Sequence, residues 1–358
     1  MRSNVIYSVY NFMIGFDIIR TLIVRRNDAG QRLDKFLTKT LINIPKSLLY
    51  KYFRLKSFKV NGVRAGAETV LCEGDVITLY INDEFFPGAE LALSEGEKYA
   101  DVRLDLKENE IIYEDDNIII IDKPQGETVH SSAPDEEEKN GDRAFLIDRV
   151  IGYLFKKGEY IPETEQSFTP SLCHRLDRNT GGLIICAKNA EALRIMNTKI
   201  RDREIKKTYF CETCGVPVNK SGILRDFLYK DKAKNRVYIF KNREEAKRAL
   251  KIKYDDDIKT VITKYNTERV MGDNALVSVE LITGRTHQIR AHMAYIGCPL
   301  VGDGKYGVSH GKKYGDNFQH LYAYSLCFDF ETESGILEYL NGKRFVGGGA
   351  EFMKKYGI

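Results

Sequence analysis

Leu33, Phe36, Leu37 and Leu41 recur at the three-and-four spacing of a single helix face, which predicts a helix shortly after Gly30. Ser47 then stands where its side-chain oxygen can cap a second short helix, with Leu48, Leu49, Tyr52 and Phe53 along it. Beyond it the period falls to two. Phe58-Lys59-Val60 is a strand running into Asn61-Gly62, a dipeptide suited to a tight hairpin, and Glu73-Gly74-Asp75 turns the chain into the strand Val76–Tyr80. Ile18–Val24 precedes them as a further strand. Residues 18–82 thus read as a small α+β module, and 83–109, with Pro87, several glycines, many acids and no clear period, as a linker.

A larger domain is expected over residues 110–346. Ile111-Ile112-Tyr113, the acidic turn Glu114–Asn117 and Ile118–Ile121 form a hairpin whose exit, Asp122-Lys123-Pro124, is stiffened by the proline. Ser131–Gly141 is polar and acidic and reads as a loop. Phe145, Ile147, Val150, Ile151, Leu154 and Phe155 mark an amphipathic helix. Leu183–Ala187 is an apolar strand, Val277–Leu281 alternates as another, and a helix opens within Thr283–His292.

With 358 residues, 43% of them hydrophobic, the chain can bury a core without disulfides or metal. No run reaches the apolar length of a membrane span, since Val5–Ile23 is interrupted by Asn11, Asp17 and Arg20, and that segment lacks the pattern of a secretory signal. A cytosolic protein with no membrane partner is expected. Its seven cysteines are scattered and odd in number, which suits reduced thiols, and the Cys211/Cys214 pair lacks the further ligands of a zinc site.

The net charge of +4 hides an asymmetry. Between Gly30 and Ala65 nine basic residues face one acid, Asp34, whereas Gly66–Asp116 carries fifteen acids against Lys98, Arg103 and Lys107. Such a local basic block within a folded pattern points to a polyanion, with Lys35, Lys46, Lys51, Arg54 and Lys56 as candidate contacts to RNA phosphates.

Two polar clusters carry the candidate chemistry. In Cys173-His174-Arg175-Leu176-Asp177-Arg178-Asn179-Thr180-Gly181-Gly182 one carboxylate stands among cations just before a glycine turn, an arrangement that favours its ionised form. In Thr283-Gly284-Arg285-Thr286-His287-Gln288-Ile289-Arg290-Ala291-His292 hydrogen-bonding side chains exceed what folding a helix needs, and the helix amides near Gly284 offer a place for a phosphate. His174, Arg285, His287 and Gln288 join the candidate substrate contacts. His287 and His292, five apart, face different sides of a helix, so no metal is expected there. The glycine-rich segment 301–307 lacks the lysine–serine ending of a nucleotide loop, and no G-x-S-x-G elbow marks a serine hydrolase.

Two resemblances organise these observations. RLDKFL, IPKS, VNG and EGDVITLYI over residues 30–82 resemble the RNA-binding domain of the fourth small-subunit ribosomal protein. HRLDRNTGG (174–182), KKTYF (206–210), TGRTHQIRAHMAYIGCPLVGDGKYG (283–307) and IDKPQGETVH (121–130) resemble the pseudouridine synthases that modify large-subunit ribosomal RNA and some transfer RNAs. The resemblance implies an α+β catalytic domain on a mixed, largely antiparallel central sheet flanked by helices. It implies that Asp177 is the catalytic carboxylate, that Arg290 pairs with it, that Tyr209 packs on the target base and that Arg175 fills the space the base leaves. Uracil must be detached from its ribose, turned and rejoined through carbon 5, so the base has to leave the stack. Isomerisation needs no redox step or donor, and no cofactor is expected. Two positions depart from the family pattern: Gly181 stands where relatives have Ser, and Leu321-Tyr322-Ala323 stands for their Leu-His-Ala.

The alternative from another class is a non-catalytic RNA-binding assembly factor, for which Asp177 would have no use. A metal-dependent RNA hydrolase ranks below both. Whether Asp177 acts as nucleophile or base is open at this level, and nothing in the sequence calls for more than a monomer.

Overall fold

The computed structural model describes residues 12–14, 17–86, 99, 105–130, 144–252, 256–307 and 318–358. Ser131–Gly141 and most of the linker 83–109 lie outside them. Contacts divide the chain into two units. Among the described residues no helix is long and apolar enough to cross a membrane.

The smaller unit holds a sheet ordered β1-β2-β5-β3-β4, from Phe12–Ile14 (β1), Asp17–Ile23 (β2), Phe58–Val60 (β3), Val63–Arg64 (β4) and Val76–Tyr80 (β5), with the helices Leu33–Thr40 (α1) and Lys46–Arg54 (α2). Leu33, Phe36, Leu37 and Leu41 are fully buried together with Phe58, Ile77 and Leu79, as the helical spacing requires. Asn61 and Gly62 take φ of 50° and 78°, the left-handed pair of the two-residue hairpin turn. Ser47 does not cap α2: the cap position is Pro45, which contributes no side-chain hydrogen bond, and Ser47 lies inside the helix.

This unit also takes in Val150–Pro170 and Lys188–Glu191, which the sequence had grouped with the larger domain. The reason is a polar seam: Ser167 Oγ donates to Asp28 Oδ1 (2.6 Å) and Gln31 Nε2 to Ser167 Oγ (2.8 Å), while Asn27 joins Glu165 (2.9 Å) and the Ala190 amide (3.2 Å).

The larger unit is built on an eleven-stranded sheet. Its strands are Ile111–Glu114 (β6), Ile118–Lys123 (β7), Ser171–Leu172 (β8), Gly181–Ala187 (β9), Ile205–Cys214 (β10), Ser221–Asp231 (β11), Arg236–Phe240 (β12), Ile258–Met271 (β13), Asn274–Leu281 (β14), Leu321–Phe328 (β15) and Arg344–Val346 (β16). The path runs β12-β11-β13-β14-β10-β15-β9-β7-β6, with β16 on β15 and β8 on β9. All pairs are antiparallel except β15 with β9. The fold is therefore α+β with a mixed, largely antiparallel sheet.

The apolar runs of β7 and β9 are buried on both faces, which is why neither alternates in sequence. Ile118, Ile120, Leu183 and Ile185 pack against Ala192 and Met196 of the helix Ala190–Arg201. The other helices are Leu146–Lys156, Arg243–Leu250, Gln288–Tyr295 and, beyond the expected end at 346, Glu351–Lys354, whose Phe352 and Met353 pack with Phe210 and Leu276. Two irregularities shape the sheet centre. At Gly182 (φ 110°) an added Cβ would meet the Ala323 carbonyl oxygen at 2.3 Å, so only glycine permits the close approach of β9 to β15. Register between β10 and β15 slips at Thr208/Tyr209, a bulge that re-aims the strand where Tyr209 sits.

Candidate active site

Asp177 lies in the loop between β8 and β9, and hydrogen bonds from several elements fix that loop. Lys123, with no exposed surface, donates to Arg178 O (3.1 Å), Pro124 O (2.8 Å) and Glu127 O (2.9 Å). Burial pushes its ammonium down to about 8, against the pull of Glu127, Asp177 and Asp122. Gly126 N also donates to Arg178 O (3.0 Å), Gln125 Nε2 to Asn179 O (3.3 Å), and Gln319 Nε2 to Thr180 Oγ1 (3.2 Å). Within the loop, Thr180 N closes a turn onto Asp177 O (3.0 Å).

The Asp177 side chain keeps 28% of its surface exposed. Its Oδ2 accepts from Arg290 Nη1 at 3.2 Å, and His287 Nε2 lies 3.9 Å away. Arg290, in the first turn of Gln288–Tyr295, is nearly buried and turns its other edge to Asp303. There Nε meets Oδ2 at 2.8 Å and Nη2 meets Oδ1 at 2.9 Å, a bidentate pair. Asp303 Oδ1 also accepts from the amides of Lys305 (2.9 Å) and Tyr306 (3.0 Å). Burial alone would raise the Asp303 carboxyl, but the hydrogen bonds and charge of Arg290 hold it below the ordinary value. The guanidinium is thus fixed from behind and presents one N–H to the reactive carboxylate.

Tyr306 orders the same cluster. Its ring lies 5.2 Å from the Arg290 guanidinium, and its hydroxyl accepts from Val237 N (3.0 Å) and meets His287 Nδ1 at 2.9 Å. The His287 ring is thus held by the Tyr306 hydroxyl at Nδ1, with Nε2 on the side of Asp177. Burial lowers the His287 imidazole to about 4, against the attraction of Asp177, so it is neutral at pH 7. Tyr209 is buried on β10; burial, with the charge of Asp177, lifts its phenol above the ordinary range and keeps it neutral.

The candidates from the sequence therefore separate. Asp177, Arg290 and His287 converge, with Tyr209 within electrostatic reach of Asp177. Arg175 and Arg285 are exposed on the segments bearing Asp177 and leading to Arg290. Gln288 is corrected to an interior brace: Nε2 donates to Ile262 O (3.0 Å) and Thr263 Oγ1 (2.9 Å), and Oε1 accepts from Thr283 Oγ1 (2.9 Å) and Arg285 N (3.0 Å). With those groups engaged and 2% of its surface exposed, it has nothing left for a substrate. His174 anchors the loop through Nε2, which accepts from Ile185 N (3.2 Å), while its Nδ1 is buried without a hydrogen-bond partner among the described residues; burial drives its imidazole well below the usual value. The helix opens at Gln288, within the expected 283–292, after His287 in the left-handed region (φ 52°), and Gln288 already occupies the Arg285 amide, one of those expected to face a phosphate.

Asp303 and Tyr306 were missed. Both lie in the glycine-rich segment set aside as a non-nucleotide loop, where an arginine-bearing buried helix nearby was the signal for a carboxylate partner. Lys35, Lys46, Lys51, Arg54 and Lys56 are all exposed on or after α1 and α2 of the smaller unit. Among the described residues no group of three His, Cys, Asp or Glu side chains is arranged to hold a metal ion. What the larger unit offers is a carboxylate, open on one side, between a fixed guanidinium, a neutral imidazole and a neutral phenol. That set can deliver a nucleophile or a base to a bound sugar or base.

Comparisons with known proteins agree on one family. The family model described as RNA pseudouridylate synthase matches residues 117–295. An uncharacterized RNA pseudouridine synthase of Mycoplasma capricolum is 32% identical over 90% of this chain and 95% of that protein. The ribosomal large subunit pseudouridine synthases C of Vibrio vulnificus and Rickettsia felis are 29% and 30% identical, over 78% and 83% of this chain and 77% and 88% of theirs. The chain belongs to the RNA pseudouridylate synthase family and is an RNA pseudouridine synthase.

Proposed function

We propose that this enzyme isomerises uridine in large-subunit ribosomal RNA, with Asp177 as the reacting carboxylate. The observation that carries the reading is the chain Asp177–Arg290–Asp303: a part-exposed carboxylate held by a guanidinium that a fully buried carboxylate locks in place. The names of the relatives support ribosomal RNA as the substrate.

In this reading the target uridine leaves its stack and enters beside Asp177. Tyr209 packs on the extruded base, and exposed Arg175 takes the space it vacates. Arg290 holds Asp177 aimed, and the His287 imidazole stands on the same side. Residues 18–82 act as a docking module of the kind found in the fourth small-subunit ribosomal protein, their exposed lysines and arginines meeting phosphates. The test is to incubate transcribed large-subunit ribosomal RNA and transfer RNA with the enzyme and to map pseudouridine by carbodiimide adducts that stop reverse transcription. Discrete stops in the ribosomal transcript support the reading; stops only in transfer RNA would overturn its substrate.

A further inference from the structure

The smaller unit carries on its surface a cleft of about 530 Å³, lined by Ser47, Tyr50, Phe53 and Arg54 of α2 and by Gly66 and Ala67 of the facing turn. Ser47, Tyr50 and Arg54 are three and four residues apart in succession and so share one side of the helix. Tyr50 is 46% exposed, yet it is not loose: its hydroxyl donates to Asp34 Oδ2 at 2.9 Å. Asp34 is itself buried and fixed by Arg32, with Nε to Oδ1 at 3.0 Å and Nη2 to Oδ2 at 2.7 Å. One end of the phenol is therefore anchored to an ion pair while its ring stays open to solvent.

The opposite wall is slight. A Cβ added at Gly66 would meet nothing within 4 Å, so this turn leaves open space on its side. The lining includes the Arg54 guanidinium, Lys46 and Lys51 are exposed on the same helix, and the nearby carboxylates Asp34 and Glu68 are both paired with Arg32. A preset aromatic face beside open space and an adjoining cation are the parts that stack and hold a single-stranded nucleotide, whereas the bases of a duplex are already stacked inside it.

We propose that this cleft takes one unpaired RNA base on Tyr50, with Arg54 on the neighbouring phosphate. The proposal rests on the reading that this module docks on RNA, and it adds the class of element docked: a loop or bulge rather than a continuous helix.

The chain contains no tryptophan, so Tyr50→Trp places a single indole in the full-length enzyme. The probes are a labelled RNA hairpin with an unpaired purine loop and a fully paired duplex of equal length. Expected results are quenching of the indole by the hairpin alone, and a loss of roughly 5- to 150-fold in hairpin affinity for Tyr50→Leu, the worth of one stacked base. Duplex affinity, which rests on phosphate contacts, should stay within about twofold. Unchanged indole emission while anisotropy reports bound hairpin would overturn the stacking site and leave RNA docking standing. Should Tyr50→Leu fail to fold, the indole signal decides alone. Failure of the wild type to bind either probe would overturn the docking reading and this inference with it.

Discussion

Asp303 never touches Asp177, yet replacing it should cost both stability and turnover. Asp303→Asn keeps the size of the side chain and one oxygen for the Lys305 and Tyr306 amides, but removes the charge opposite Arg290. Deleting one partner of a buried ion pair costs about 3–5 kcal/mol; because Arg290 retains Asp177 at 3.2 Å, the expected loss is about 2–3 kcal/mol. For a domain of this size that lowers the melting temperature of the larger unit by roughly 5–10 °C.

The same change frees the guanidinium to rotate, and a misplaced contact of this kind lowers kcat by about 100-fold while KM for RNA stays nearly fixed. The pH dependence separates this from a general weakening. The folded Asp303 carboxyl lies below its ordinary 3.8, so its contribution is fully present above that value and is lost as pH falls through the lower, folded value. The stability gap between wild type and Asp303→Asn should be flat from about pH 5 to 8 and shrink in stronger acid. Thermal melts across pH and single-turnover assays on saturating RNA make the measurement. Wild-type melting and turnover in Asp303→Asn would refute the claim that Asp303 fixes Arg290.

Two further outcomes follow from neighbouring contacts. Tyr306→Phe removes the hydroxyl that holds the His287 ring, and turnover should fall about 100-fold, the lower end for a lost acid–base group, with RNA affinity unchanged; wild-type turnover would show that the ring orientation is immaterial. Gly181 and Tyr322, the two departures from the family pattern, face each other across β9 and β15, and a Cβ at 181 would lie 3.1 Å from Tyr322 Cδ2. Gly181→Ser should destabilise by about 1–3 kcal/mol through overpacking, and Tyr322→His should recover part of it; strictly additive effects in chemical denaturation would exclude the coupling.

The smaller unit was largely legible because its signals are local. The helical spacing from Leu33 to Leu41 and the Asn61-Gly62 turn each act within a few residues, and the structure places all of them as the pattern requires. The site was less legible because its contacts are remote. Arg290 reaches Asp177 across 113 positions, and that pair was reached through the resemblance. Gln288 looked like a substrate contact because polarity is visible in a sequence while the interior carbonyls and amides that consume it are not. Asp303 failed to register for the converse reason: amid glycines an acid looks like a turn residue until the buried arginine beside it is seen.

The most direct test of the central claim is tritium release from carbon-5-labelled uridine in transcribed large-subunit ribosomal RNA, comparing wild type with Asp177→Asn. Asp177 is part-exposed, so the variant should fold and bind RNA as the wild type does. Release by the wild type and none by Asp177→Asn, at equal RNA binding, is the predicted result. Release by Asp177→Asn at the wild-type rate would contradict the assignment of the reaction to this carboxylate.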